Sequence, residues 1–157
     1  MSRFFLRYIF IPIVLFVAAI NVSFGQSVIN VPEDYSAIQT ALDSANSGDT
    51  VRVASGTYEE NIYWPETYGL KLIGEDSSNT IIDGGEQGSV IHMYPDSIQI
   101  DTNTIIKNFT IQNGGNIDKG GGLYINGGGP KLEKMVIKDN ESENAGGIYI
   151  NNGIASL

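Results

Sequence analysis

The chain of 157 residues has no cysteine, one histidine, one tryptophan, and only 9 Lys+Arg against 18 Asp+Glu. Without thiols there is no disulfide framework, no thiolate metal site and no cysteine nucleophile. With His92 alone, a Ser–His centre would need a serine that nothing in the sequence marks out. The net charge of −9 leaves no basic face to neutralise phosphates, so no nucleic-acid partner is expected. Long hydrophobic runs are also missing. Tyr8 to Ile20 is uncharged and mostly apolar, but falls short of the roughly 18 residues that span a bilayer.

That run reads instead as export machinery. Arg3 and Arg7 precede it, and Ser23-Phe24-Gly25 places small residues where a signal peptidase reads. Residues 1–25 are therefore expected to be a secretory signal peptide, with Gln26 as the mature N-terminus. The product is then secreted or held at a cell surface. Any membrane contact would come through this leader or an anchor further downstream, and the absence of cysteine excludes a lipoprotein. Cleavage takes Arg3 and Arg7 away, leaving 7 basic against 18 acidic residues, net −11. Such a charge serves solubility. The one cofactor it would attract is Ca2+, but the acids are scattered and no loop has metal-ligand spacing, so neither metal nor cofactor is expected.

What the chain does contain is repetition. Gly121-Gly122-Leu123-Tyr124-Ile125-Asn126 returns as Gly146-Gly147-Ile148-Tyr149-Ile150-Asn151 at an offset of 25. Ile106, Phe109 and Ile111 return as Leu132, Met135 and Ile137 at an offset of 26. Two motifs repeating at nearly one period indicate stacked units rather than a closed core. Each block alternates apolar and polar residues between Gly, Asn and Asp, as strands do. A βαβ unit needs roughly 30 residues, so the period fits one rung of a parallel β-helix. Rung on rung, parallel strands bury a continuous column of Ile, Leu and Val. Asn113, Asn126, Asn140, Asn151 and Asn152 are expected to stack in the turns as hydrogen-bonded ladders.

The end of such a column must be covered. Ser36 followed by Gln39 reads as a capping box. Ile38, Ala41, Leu42 and Ala45 then form one apolar stripe at helical spacing. Asn46-Ser47-Gly48 stops the helix, and Thr50-Val51-Arg52-Val53 reads as a strand. Residues 26–48 are thus expected to form an N-terminal cap and residues 49–157 the rungs, about four at this period. Aligned on the repeat, Leu157 falls where Leu132 begins a strand, so a longer protein, monomeric at full length, is expected.

Several segments carry a resemblance. Asp34-Tyr35-Ser36-Ala37-Ile38-Gln39-Thr40-Ala41-Leu42-Asp43, Gly48-Asp49-Thr50-Val51-Arg52-Val53 and Gly56-Thr57-Tyr58-Glu59-Glu60-Asn61-Ile62 resemble the opening of pectin-lyase-like proteins. Leu70 to Gly74 and Thr80 to Gly84 fit the first rungs of that superfamily. The resemblance implies a right-handed parallel β-helix, all-β apart from the capping helix. Its members include pectinesterases, polysaccharide lyases and exported proteins without known activity, so it specifies fold rather than chemistry. The Gly-Gly-x-Tyr-Ile blocks also resemble the repeats of polymorphic outer-membrane proteins, which implies an adhesin-like or structural surface role. Those repeats carry Phe-x-x-Asn, whereas here Gln112 stands three residues after Phe109 and Asn113 one place later.

No catalytic set is legible. A pectinesterase-like site would need two facing Asp and an Arg on central rungs, but Arg52, alone once the leader is gone, lies on the opening strand. A lyase-like site would need an Asp column for Ca2+. Asp83, Asp96 and Asp101 instead read as turn or surface residues. His92 alternates with Ile91 and so points outward. Gly120-Gly121-Gly122 and Gly127-Gly128-Gly129 lack the residues of a phosphate loop and read as tight turns. The binding candidate is Tyr63-Trp64, whose exposed rings would stack on sugars; the competing reading is that they only cover a loop. The expectation is a non-catalytic, exported β-helix with polysaccharide or surface-glycan partners. The alternative is the N-terminal part of a polysaccharide lyase or esterase.

Overall fold

Alternation places one side chain of each strand inward and the next outward. The structure, a computed structural model that describes residues 25–94 and 100–157, stacks such strands into a parallel β-helix. The expected signal peptide lies almost wholly outside the described residues. The first sheet holds β1 (Val28–Val31), β2 (Thr50–Val53), β5 (Lys71–Gly74), β8 (Ile105–Lys107) and β11 (Lys131–Glu133). The second holds β3 (Gly56–Glu59), β6 (Thr80–Asp83), β9 (Thr110–Gln112) and β12 (Val136–Ile137). The third holds β4 (Ile62–Tyr63), β7 (Ile91–Met93), β10 (Leu123–Gly128) and β13 (Ile148–Gly153). All ladder pairs are parallel, with Ile106 opposite Leu132 and Leu123 opposite Ile148. The two sequence offsets are therefore the register of the last rung step, while earlier steps differ: Val51 stands opposite Leu72, and Leu72 opposite Ile106.

The core is three inward columns. Val51, Leu72, Ile106 and Leu132 form one; Tyr58, Ile82, Ile111 and Ile137 the second; Ile62, Ile91, Leu123 and Ile148 the third. Their central members are fully buried, as is Phe109. Each such burial contributes about 1.5–3 kcal/mol, which explains how the chain holds together without disulfides.

Five strands stand in the first sheet rather than four, because Val28–Val31 pairs with Thr50–Val53. The segment expected to be only a cap thus contains a strand, and α1 (Ile38–Ser44) lies between β1 and β2. Its stripe is as expected: Ile38, Ala41, Leu42 and Ala45 are buried. Its N-terminal cap is not. Ala37 holds the N-cap position and no side chain there bonds the helix. Glu60 does so instead, from 22 residues away, its two carboxylate oxygens accepting from the N–H groups of Ile38 and Gln39 at 2.9 Å each. A carboxylate at this end satisfies orphan donors and suits the helix dipole.

The turns use residues that tolerate the left-handed region. Asn108 and Asn113 flank β9, and Lys134 and Asp139 occupy the equivalent corners around β12, with φ of 62°, 55°, 49° and 51°. Asn and Asp adopt this conformation more readily than other residues with a side chain. The glycine triplets divide. Gly120, Gly127 and Gly128 have positive φ, whereas Gly122 is required because a Cβ would stand 2.6 Å from the Gly147 carbonyl of the next rung. The asparagine ladder forms at one step, Asn151 Nδ2 donating to Asn126 Oδ1 at 2.8 Å. Elsewhere the amides bond other groups: Asn113 donates to Asp83, and Asn140 bridges the Gly114 N–H and the Ile111 carbonyl.

Candidate functional site: an aromatic face on the third sheet

Period-two alternation decides which rings reach the surface. On β4 Ile62 turns inward, Tyr63 outward and Trp64 inward again. On β7 Ile91 and Met93 are buried, leaving His92 and then Tyr94 outside. On β10 and β13, Tyr124 and Tyr149 alternate with the inward apolar residues. Parallel register then brings Tyr63, His92, Tyr124 and Tyr149 onto consecutive rungs, each directly opposite the next. At about 4.8 Å per rung, rings in such a column must touch.

Their geometry follows. Tyr63 and His92 lie 5.6 Å apart, tilted by 31°. His92 meets Tyr124 edge-on at 4.9 Å and Tyr94 edge-on at 6.2 Å. Tyr94 and Tyr124 are nearly parallel at 6.3 Å, as are Tyr124 and Tyr149 at 5.6 Å. The Lys119 ammonium sits over the Tyr149 ring, 5.0 Å from its centre, a cation–π contact. Tyr124 and Tyr149 are half-buried against their neighbours, while Tyr63 is 64% and Tyr94 53% exposed.

Two open clefts flank Tyr94. One, of about 420 Å3, is lined among the described residues by Tyr63, Trp64, His92 and Tyr94. The other, of about 400 Å3, runs from His92, Tyr94 and Tyr124 to Ser89, Asn116, Asp118 and Lys119. His92 floors both. Burial lowers its pKa below the usual imidazole value, so the ring is neutral at neutral pH and offers one donor and one acceptor. The face thus supplies flat apolar rings beside a few polar groups, the composition of a binding surface.

The expected site residues separate. Tyr63 is exposed as anticipated. Trp64 is not: it is 6% exposed and packed in the core, because it shares the inward face of Ile62. It therefore offers no open ring face to a ligand, and the expectation of two exposed neighbours is corrected. Arg52 is exposed on β2, in the first sheet, away from the sheet that carries His92. Asp83 ends β6; burial raises its pKa, but hydrogen bonds from Gln112, Gly85 and Asn113 outweigh this and hold it below the usual range. Asp101 closes a turn onto Asn103. Asp96 lies outside the described residues. Among the described residues no cluster of His, Asp and Glu could hold a metal ion.

Sequence reading missed Tyr94, Tyr124, Tyr149 and Lys119 as parts of the face. Part of the signal was present, since Tyr124 and Tyr149 stand in the repeated block and Tyr94 continues the alternation of His92.

No family model matches the chain, and no curated protein matches it. Among solved structures it is similar to a crystal structure of a pectin methylesterase mutant in complex with a hexasaccharide. The TM-score is 0.55 at 13% identity, over 85% of this chain and 49% of that one. At that identity the likeness is one of fold: the chain is a parallel β-helix of the kind found in pectin methylesterase. It spans about half the length of that protein. Among the described residues no helix is long and apolar enough to cross a membrane.

Proposed function

We propose that this chain is an exported, non-catalytic β-helix that binds carbohydrate on the outer face of its third sheet. The observation that carries the reading is the register of Tyr63, His92, Tyr124 and Tyr149, with Tyr94 beside them. Aromatic rings present apolar area at low entropic cost, and their hydroxyl tips reach polar ligand groups. A β-helix of similar fold carries a hexasaccharide, which supports a glycan ligand on this scaffold. The leader-like N-terminus supports export, and the Gly-Gly-x-Tyr-Ile repeats support an adhesin-like or structural role at a cell surface.

Catalysis is disfavoured by the residues themselves. General acid–base chemistry needs partners within hydrogen-bond reach. His92 is in contact with tyrosine rings, and Arg52 stands on another sheet. A net charge near −11 after loss of Arg3 and Arg7 repels polyanionic substrates.

Calorimetric titration of the purified chain against neutral and uronate oligosaccharides tests the reading. Saturable binding that Tyr124→Ala weakens is expected. Failure to bind any glycan class would sink it. Formation of unsaturated uronate, lost on Arg52→Ala, would replace it with the lyase alternative.

A further inference from the structure

Behind the cleft between Tyr63 and Tyr94 lies an unpartnered buried group. Trp64 lines the cleft together with His92. Its indole Nε1 is buried and has no hydrogen-bond partner among the described residues. Indole N–H is a donor only, and a buried donor left unpaired costs its desolvation without return. Phenylalanine would fill the same inward position with no such cost. Every other buried side-chain N or O atom of the described residues has a partner.

Resting on the carbohydrate-binding reading, we propose that the Trp64 indole N–H is the specificity-determining donor of the face. The cleft takes a neutral sugar ring that presents a hydroxyl or ring oxygen to this N–H, between the Tyr63 and Tyr94 rings. The ligand is neutral because the described lining of the cleft holds no Lys or Arg. Lys119 belongs to the neighbouring cleft and sits over Tyr149. A carboxylate moved among these rings would lose water without gaining a counter-charge. Reaching the N–H requires a wall of the cleft to turn, and the wall rings Tyr63 and Tyr94 are both more than half exposed. Sites built to hydrogen-bond a substrate oxygen reject analogues that lack it far more strongly than apolar pockets reject a missing methylene.

The chain has a single tryptophan, so fluorescence excited selectively at tryptophan, beyond the tyrosine absorption, reports this cleft. The probes are neutral xylo-, gluco- and galacto-hexasaccharides, with uronate oligomers as the acidic arm. At least one neutral probe should change Trp64 fluorescence saturably. Trp64→Phe, followed by calorimetry because it has no tryptophan, should keep the thermal midpoint or raise it while weakening that probe about tenfold or more, the scale of one lost hydrogen bond to a buried donor. The wild type should also discriminate against one monodeoxy analogue of the probe, and Trp64→Phe should not. If the variant folds poorly, the Tyr63→Phe and Tyr94→Phe variants decide the matter: deoxy discrimination that survives in both assigns the hydroxyl to the indole, and discrimination lost in either overturns the proposal.

Equal affinity in Trp64→Phe overturns the proposal, as does a variant that loses stability and keeps affinity, which would mean the N–H has a structural partner. Binding with no fluorescence change and no deoxy discrimination places the ligand elsewhere, again overturning it while leaving carbohydrate binding intact. Absence of binding to every neutral and acidic probe is a different result, because it removes the underlying reading.

Discussion

The side-chain amide of Gln39 pairs with both backbone groups of Tyr63. Its Nε2 donates to the Tyr63 carbonyl at 2.9 Å and its Oε1 accepts from the Tyr63 N–H at 2.7 Å. Tyr63 lies on β4, the edge of the third sheet, and an unpaired edge strand is a template for association. One amide from the helix thus closes the edge in place of another strand, and it also holds the first ring of the aromatic column.

Gln39→Ala should therefore unpair both groups. With two hydrogen bonds lost at a partly exposed site, about 1–2 kcal/mol of stability is expected to go. Chemical denaturation checks the energy, and light scattering should show increased self-association.

The helix itself is a lid. Leu42, on its inner face, is fully buried, so Leu42→Asp puts an unpaired charge against the column and should cost about 3 kcal/mol or more. Glu60→Ala, which removes the carboxylate from the helix N-terminus, should cost about 1–2 kcal/mol, in the range of a lost N-cap. A melting temperature unchanged in both variants would mean that the helix does not close the column.

Acid should reach the first sheet through Glu133. Hydrogen bonds from Lys131 at 2.6 Å and Lys107 at 2.9 Å bring its pKa from 4.5 to about 2. The folded pKa is depressed, so the unfolded chain binds the proton more readily. Its contribution is fully present above pH 4.5 and is lost as pH falls toward 2. Melting curves across that window should fall less steeply for Glu133→Gln than for the wild type, and added salt should narrow the difference.

His92 has the opposite chemistry with a slope of the same sign. Burial lowers its pKa from 6.5 by disfavouring the charged ring. Below pH 6.5 the unfolded chain takes up a proton that the folded chain refuses, so stability falls as pH drops through the interval down to the folded pKa. The rings in contact with it are those of Tyr63, Tyr94 and Tyr124, and Asp118 and Lys119 line the same cleft. An NMR titration should place the imidazole below its ordinary value, and His92→Phe should remove this part of the pH dependence.

Repetition and helical spacing were legible because both are local. The offset of 25 between Leu123 and Ile148 is the ladder register itself, and the stripe of Ile38, Ala41, Leu42 and Ala45 is the buried face of α1. Even the inward turn of Trp64 was available from its spacing to Ile62. Trp64 departs from the expected exposure because β4 is only two residues long and gives little alternation to read.

The chain by itself determined the register of the last rung step, the inward–outward alternation within strands and the lid, since each follows from residues a fixed number of positions apart. Only the tertiary structure decided the aromatic face, the Glu60 cap and the Gln39 clamp. Tyr63, His92, Tyr124 and Tyr149 are separated by 29, 32 and 25 residues. The turns between strands differ in length from rung to rung, so equal spacing in space is unequal spacing in sequence. Side chains that meet across such turns are selected by the hydrogen-bond register of the rungs, which forms only when the column is stacked.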